Sequence, residues 1–434
     1  MGYFTAIEDG RLGAETRPRA SLLPIEWMYP MTIFFSVGEP SGDLHGANLI
    51  RAIRDRSPGV ECVGYGGPRM AAAGARLHAD LTQLAIMGVV RAVLNLHRFW
   101  GLYRRARRYL REARPDAVVL IDYPGFNWWV ARAAKAQGIP VFYYGTPQLW
   151  AWGGWRVRKM RRLVDHVLCK LPFEEDWFRA RGVSATFVGH PYFDELTRAF
   201  PDEADRPAND SPPLVTILPG SRTQEVTGNL PMLLRAAKLI LRAVPDVQFA
   251  VASYNDRQAE LAREMVRSSG VPAHVHVHRT GELIRDATCA MGVSGSVSLE
   301  LLYHATPAVL FYKISRASFF IQQFFRKARY ITLANLVAVE DPFALPPGNY
   351  DPDNPIDAAA PLPEYLTWEE ISERTAGHLV EWLTDEAARQ HVCDRLRDAR
   401  RKIGHTGASQ RAAEYILGAL PAERDHRSDA PAAA

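Results

Sequence analysis

Asp122 stands at the end of the apolar run Val118-Val119-Leu120-Ile121, and Pro124-Gly125 stops the strand two residues later. A carboxylate at a strand end is well placed to take a proton from a substrate hydroxyl. Its plain alternative is a helix cap, a job that Asn127 can do instead. Leu218-Pro219-Gly220-Ser221-Arg222 ends a second apolar run. Gly220 and Ser221 form a tight turn, and Arg222 offers a planar fork of donors suited to phosphate rather than to a surface ion pair alone. Val293-Ser294-Gly295-Ser296-Val297-Ser298-Leu299-Glu300 is a third strand–turn–helix junction. Ser294, Gly295 and Ser296 put N–H groups and hydroxyls where a diphosphate meets a helix N-terminus. Glu300 can accept hydrogen bonds from both ribose hydroxyls, or simply favour the helix dipole, with Ser296 as the cap. The fourth turn, Ser36 to Asp43, follows Thr32-Ile33-Phe34-Phe35 and is rich in glycine. Glu39 and Asp43 make it acidic, which suits sugar hydroxyls better than phosphate.

Other groups are weaker signals. Thr146 to Trp155 packs three tryptophans into one loop, fit for stacking on sugars, for a lipid interface or for core filling. Residues 97–114 place Phe99, Tyr103, Ala106, Leu110 and Ala113 at helical spacing among arginines. A core helix with a solvated face is the plain reading; contact with an anionic membrane is the sharper one. Asp351-Pro352-Asp353 matches a metal-binding pattern but has no strand before it. His274, His276 and His278 alternate along one strand, where a solvent-facing edge explains them better than zinc.

The elements that must position these residues alternate strand and helix. Strands are predicted at 32–37, 60–65, 116–122, 139–145, 166–171 and 185–189, with helices at 43–56, 98–113, 127–137, 156–163 and 173–181. A polar stretch with four prolines, 198–213, reads as a linker. Alternation restarts with strands at 214–218, 247–252, 274–279, 289–293 and 308–312, and helices at 229–243, 256–268, 298–304 and 316–327. Residues 340–363 read as an inserted loop, and helices return at 368–384, 386–402 and 409–418. Uniformly apolar strands between helices imply α/β architecture with two Rossmann-like, doubly wound parallel sheets facing a cleft. The domains are then 31–197, 214–366 and a helical end at 367–420, with disordered segments at 1–30 and 421–434.

The chain has 434 residues, 47% of them hydrophobic, and a net charge of +4. That is enough for two or three domains. Seven arginines lie between Arg98 and Arg114, and Arg156, Arg158, Lys159, Arg161 and Arg162 form a second cluster. The first half therefore faces something anionic. No aromatic–basic interleaving of the nucleic-acid-binding kind is present. Cys62, Cys169, Cys289 and Cys393 are widely spaced, as expected of core thiols in a reducing compartment. No apolar run reaches the ~18 residues of a membrane span.

In this order the motifs resemble the lipid-A-disaccharide synthase family, glycosyltransferases of GT-B architecture, from about Met31 to Leu417. The resemblance is carried by Gly38-Glu39-Pro40-Ser41-Gly42-Asp43, Gly66-Gly67-Pro68-Arg69-Met70, Met87-Gly88-Val89-Val90 and Asp122-Tyr123-Pro124-Gly125-Phe126-Asn127. Pro147 to Trp152, Leu171-Pro172-Phe173-Glu174, Phe187-Val188-Gly189-His190-Pro191, Leu218 to Arg222, Ser294 to Glu300, Asn335 and Pro363-Glu364-Tyr365-Leu366 continue it. It implies inverting transfer of 2,3-diacylglucosamine from its UDP donor to the 6-hydroxyl of 2,3-diacylglucosamine 1-phosphate, with no metal and no cofactor. By the same resemblance Asp122 is the base, Arg222 serves the diphosphate, and Asn335 belongs to the active site. Gly220, Ser221, Ser294, Gly295, Ser296 and Glu300 hold the UDP moiety. Glu39, Ser41 and Asp43 line the acceptor side, with Gln148 and His190 as further substrate-binding positions. The implied setting is cytoplasmic, peripheral on the inner face of the bacterial inner membrane, with dimers forming through C-terminal helices. Thr146, Ala334 and Ser296-Val297-Ser298 depart from the usual Ser, Pro and Thr-Ala-Thr. The rivals are another UDP-sugar transferase or a UDP-N-acetylglucosamine epimerase, and a non-catalytic lipid-binding protein.

Overall fold

The computed structural model describes residues 31–85, 96–201 and 212–420. The expected N-terminal extension, the tail, Met87 to Leu94 and most of the linker lie outside the described residues.

The first sheet contains β1 (Thr32–Val37), β2 (Glu61–Gly66), β3 (Arg76–Asp80), β4 (Ala117–Ile121), β5 (Val141–Tyr144), β6 (His166–Cys169) and β7 (Ala185–Phe187). The second contains β8 (Leu214–Leu218), β9 (Gln248–Ser253), β10 (Ala273–Val277), β11 (Cys289–Val293), β12 (Ala308–Lys313) and β13 (Glu364–Thr367). Their orders are β3-β2-β1-β4-β5-β6-β7 and β10-β9-β8-β11-β12-β13. Every pairing in both is parallel. Both sheets are covered by helices on either face, which is why β4 and β11 are buried at every position.

In each sheet the order reverses once, between β1 and β4 and between β8 and β11. Crossovers leave in opposite directions at these points and open a crevice at the strands' carboxyl ends. The four turns singled out by their chemistry follow β1, β4, β8 and β11, the four strands that flank these crevices.

Two strands escaped the sequence reading. β3 is polar and only half-buried, and β13 is four residues long and opens on a glutamate. The helix expected from 229 starts at Thr223 and runs through Pro231 to Ala243. The helix Pro191–Ala199 reaches into the stretch read as linker. Residues 340–363 are no bare loop. They contain a 3-10 turn, Pro355–Ala359, and Asp357 there is fully buried against the Arg329 guanidinium at 2.5 Å.

The chain ends by crossing back. Helix Ser372–Thr384 packs on Thr223–Ala243, helix Glu386–Ile403 on Val297–Tyr303 and Leu333–Ala338, and helix Ala408–Ala419 on Pro40–Arg56 of the first domain. Ala412, Ala413 and Ile416 bury themselves with Ile33, Phe35 and Ile53. Asp194 accepts the N–H groups of Gly407, Ala408 and Ser409 at 2.6, 3.3 and 3.1 Å, so a first-domain carboxylate caps the last helix. All four cysteines are free and buried. His274 lies on the edge strand β10, while His278 has left it in a left-handed conformation. Asp351 caps its own turn by accepting Asp353 N–H at 3.1 Å. Among the described residues no cluster of three or more His, Cys, Asp or Glu could hold a metal ion.

Candidate active site

Asp122 and Tyr123 both adopt φ of 44°, the left-handed region that non-glycine residues avoid. Surrounding hydrogen bonds hold them there. Asn127 Nδ2 reaches the carbonyls of Asp122 (2.8 Å), Ile121 (3.2 Å) and Ser36 (3.1 Å). Its Oδ1 accepts from Ser36 Oγ at 2.6 Å, and Tyr143 OH donates to the Asp122 carbonyl at 2.6 Å. Asn127 therefore does not cap the following helix, as the sequence suggested; its amide ties β1 to the turn after β4. Gly38 completes the junction, since a Cβ there would lie 2.4 Å from the Tyr123 ring.

The Asp122 carboxylate sits 3.5 Å from Lys170 Nζ, with both side chains mostly buried. Burial pushes the Asp122 carboxyl up, and Lys170 opposes it by charge and hydrogen bond. Lys170 follows β6 and is braced from below. The buried Glu174 carboxylate accepts the Lys170 and Leu171 N–H groups at 3.0 and 3.1 Å and Trp150 Nε1 at 3.0 Å. Trp150 is thus the core-filling tryptophan of its loop, whereas Trp155 is 67% exposed.

Glu39, at the crevice mouth, is also pushed up, first by desolvation and then by the Asp122 charge, while Lys170 and Arg222 pull it down. Arg222 belongs to the second domain, so its guanidinium charge reaches the Glu39 side of the crevice. Ser41 is exposed beside Glu39. Asp43 is not a crevice wall. It is 3% exposed, and its oxygens accept the N–H groups of Gly67, Arg69 and Met70 at 2.8, 3.0 and 3.1 Å. Its lone pairs hold the turn after β2.

Across the crevice, Gly220 has φ of 119°, open to glycine alone at low cost. Ser221 and Arg222 donate their N–H groups to Glu225 Oε2 at 2.9 and 3.1 Å, and Arg222 Nη1 lies 3.2 Å from Glu225 Oε1. The Arg222 side chain is 81% exposed. Gln258 Nε2 holds the turn from behind at Ser221 O, 2.6 Å. After β11, Gly295 and Ser296 are exposed, and Ser296 makes no side-chain cap. Ser298 Oγ bonds Gly295 O at 2.9 Å and sets the turn.

Glu300 is buried, and Tyr192 OH from the first domain donates to its Oε2 at 3.2 Å. Desolvation lifts its carboxyl to about 7. His190 begins the Tyr192 helix, its Nδ1 accepting Tyr192 N–H at 3.2 Å, and its ring lies edge-on to His45 at 6.0 Å. Both imidazoles are held neutral by burial first and by Lys170 second. Gln148 is exposed at the start of the short helix Leu149–Trp152.

Asn335 stands apart. It is fully buried; its Nδ2 donates to Leu362 O (2.8 Å) and Glu364 Oε2 (2.9 Å), and its Oδ1 accepts Leu362 N–H (3.0 Å). Both amide hydrogens and one lone pair of Oδ1 are engaged at the entry to β13, so in this conformation the side chain fixes that entry. Lys170, Tyr192, Glu225 and His45 went unnoticed in the sequence. Lys170 had a signal: like Asp122, it is a charged residue directly after a buried strand.

A family model described as "Lipid-A-disaccharide synthetase" matches residues 33–344. The lipid-A-disaccharide synthase of Trichlorobacter lovleyi is 33% identical over 395 residues, covering 89% of this chain and 97% of that protein. That of Myxococcus xanthus is 33% identical over 399 residues, covering 91% and 99%. Among solved structures, the UDP-GlcNAc 2-epimerase of Neisseria meningitidis bound to UDP-GlcNAc superposes with a TM-score of 0.57 at 12% identity, covering 89% of this chain and all of that one. A structure titled as the glycotransferase of kitacinnamycin gives 0.52 at 18%, covering 90% and 100%. These two establish the shared two-domain GT-B fold; the sequence matches establish more, and the chain belongs to the lipid-A-disaccharide synthase family of glycosyltransferases.

Proposed function

We propose that this enzyme transfers 2,3-diacylglucosamine from its UDP donor to the 6-hydroxyl of 2,3-diacylglucosamine 1-phosphate, with inversion, to give lipid A disaccharide 1-phosphate and UDP. The observation that carries the reading is the meeting of unlike chemistry at the two switch points. Glu39, desolvated and in the field of Asp122, also feels the charge of the solvent-exposed Arg222 guanidinium from the second domain.

In this reading the acceptor 6-hydroxyl approaches Asp122 and attacks the donor's anomeric carbon from the face opposite UDP. The new C–O bond forms as the bond to the β-phosphate oxygen breaks. The hydroxyl proton passes to Asp122, and the electron pair leaves on the diphosphate. Burial raises the basicity of Asp122, and Lys170 opposes part of that rise by charge and hydrogen bond, the kind of balance a general base needs. Arg222, with the N–H groups of Ser221 and Arg222 once Glu225 yields them, meets the charge growing on the leaving group. Ser294, Gly295 and Ser296 cradle the diphosphate, and Glu300 takes the ribose. Ser41, Gln148 and His190 stand on the first-domain side as acceptor-binding positions. No metal or cofactor enters this scheme.

The acyl chains imply work at a membrane surface. Helix Leu96–Ala113 supports it: Ala106 and Leu110 are buried, while Trp100 is 56% exposed among arginines, and Trp100, Tyr103 and Trp129 form an aromatic row. No described helix is long and apolar enough to cross a membrane. We place the enzyme on the cytoplasmic face of the inner membrane, with a homodimer as its assembly.

Mass spectrometry of products from the paired substrates in detergent micelles tests the reading. The expected product is the acylated disaccharide 1-phosphate with stoichiometric UDP. UDP without disaccharide, or a rearranged UDP-sugar, would refute it.

A further inference from the structure

Helix Arg316–Phe325 has no buried residue. It follows β12 and therefore leaves the second sheet at the carboxyl end, the end that carries the donor turns. Phe320, Ile321, Phe324 and Phe325 are exposed by 51, 58, 81 and 60%, and Tyr312 just before the helix by 45%. At about 200 Å² per large side chain, the four helical residues alone present on the order of 500 Å² of apolar surface. That is at the upper end of what monomeric soluble proteins expose, and it is concentrated on one short helix.

The charges around this helix say what covers it. No Asp or Glu occurs between Glu300 and Glu340. Lys313, Arg316 and Lys327 are exposed at its two ends, and Arg316 stacks on the Trp368 ring at 5.0 Å. An apolar helix framed by cations, in a stretch of chain without carboxylates, complements anionic headgroups above acyl chains. The patch also continues onto the first domain. Lys327 N–H donates to Ala151 O at 3.2 Å, which seats the helix end against the tryptophan loop. Four residues on, Trp155 is exposed with Arg156 stacked on it at 5.0 Å, and Arg158, Lys159, Arg161 and Arg162 follow, all exposed.

We propose that helix Arg316–Phe325 is a membrane-inserting element: its Phe320–Phe325 face enters the acyl region of an anionic phospholipid bilayer, and Lys313, Arg316 and Lys327 contact headgroups. The inference rests on the reading that the substrates are membrane-held lipids, and it gives the second domain its own bilayer contact beside helix Leu96–Ala113. A donor anchored in the same leaflet then reaches the Arg222 turn without leaving the lipid.

Flotation of the full chain with vesicles of phosphatidylcholine alone or with 30% phosphatidylglycerol tests this. The triple variant F320S/F324S/F325S changes only exposed side chains, so its melting temperature should match the parent's. Its affinity for the anionic vesicles should fall about tenfold or more. A fluorophore on Phe324→Cys, selective because the native cysteines are buried, should shift to the blue with anionic vesicles. Unchanged flotation of the triple variant with no spectral shift overturns the proposal. So does a shift that tracks protein concentration without vesicles, which would assign the face to a second copy. These readouts need no catalysis, so their failure is separate from a failure to form the disaccharide.

Discussion

Glu300 offers a test of donor binding whose size follows from its surroundings. Its carboxyl is lifted from an ordinary 4.5 to about 7 by burial, and Tyr192 is its hydrogen-bond partner. In the free enzyme about one tenth is ionised at pH 6 and about nine tenths at pH 8. Ribose hydroxyls donate to the ionised form, so binding holds the proton off. Affinity for a UDP-sugar should therefore rise about tenfold from pH 6 to pH 8, or about 1.4 kcal/mol. UDP-N-acetylglucosamine is the suitable probe, because its diphosphate diester does not titrate in this range, and calorimetry reads the affinity directly. Glu300→Gln should flatten the profile. Stability follows the opposite sign. A carboxyl raised in the folded state stabilises fully below about 4.5, and that contribution is lost as pH rises through about 7. The interval is worth on the order of 3 kcal/mol. The parent's melting temperature should then fall more between pH 5 and pH 8 than that of Glu300→Gln. A flat affinity profile in the parent, or the same slope in the variant, would refute the assignment of Glu300 to ribose.

Asp122→Asn should lower kcat by about 10²–10⁴ with little effect on donor affinity, measured as disaccharide formed per time. Unchanged turnover removes it as the base. Lys170→Met should move the acidic limb of the kcat/KM profile upward, since the cation opposing the Asp122 shift is gone. Asn335→Ala should cost about 2–4 kcal/mol in chemical denaturation, because Leu362 and Glu364 lose buried partners. A fall in kcat at unchanged stability would restore Asn335 to the chemistry.

The sheets were legible because parallel strands covered on both faces must be apolar throughout. Ala117-Val118-Val119-Leu120-Ile121 announces itself; Arg76-Leu77-His78-Ala79-Asp80, a half-buried edge, does not. That Asp122, Gly220 and Arg222 follow central strands was legible, because the apolar runs before them end sharply. The backbone partners of Asp43 and Asn335 were not legible, because a polar residue in a motif looks the same whether it meets a ligand or buried backbone. Asp43 meets three amides, and Asn335 meets the entry to β13. Partners distant in sequence were not legible at all. Lys170 lies 48 residues from Asp122, and Tyr192 lies 108 from Glu300.

Helix Pro191–Ala199 joins these observations. Its Tyr192 holds Glu300 of the second domain, its Asp194 caps the helix that returns from the chain's end, and Tyr303 OH reaches Thr197 Oγ1 at 3.3 Å. Cross-domain bonds thus converge on one nine-residue helix. His190 begins this helix, beside His45 and within the field of Lys170. In the proposed reading, a ribose bound at Glu300 shares the carboxylate with Tyr192 or replaces it there, so donor binding bears on an interdomain hydrogen bond. That helix starts in the field of Lys170, the ion-pair partner of Asp122. On the proposed roles of Glu300 and Asp122, this helix is the element that links the donor side to the base, and Tyr192 is its bond to Glu300.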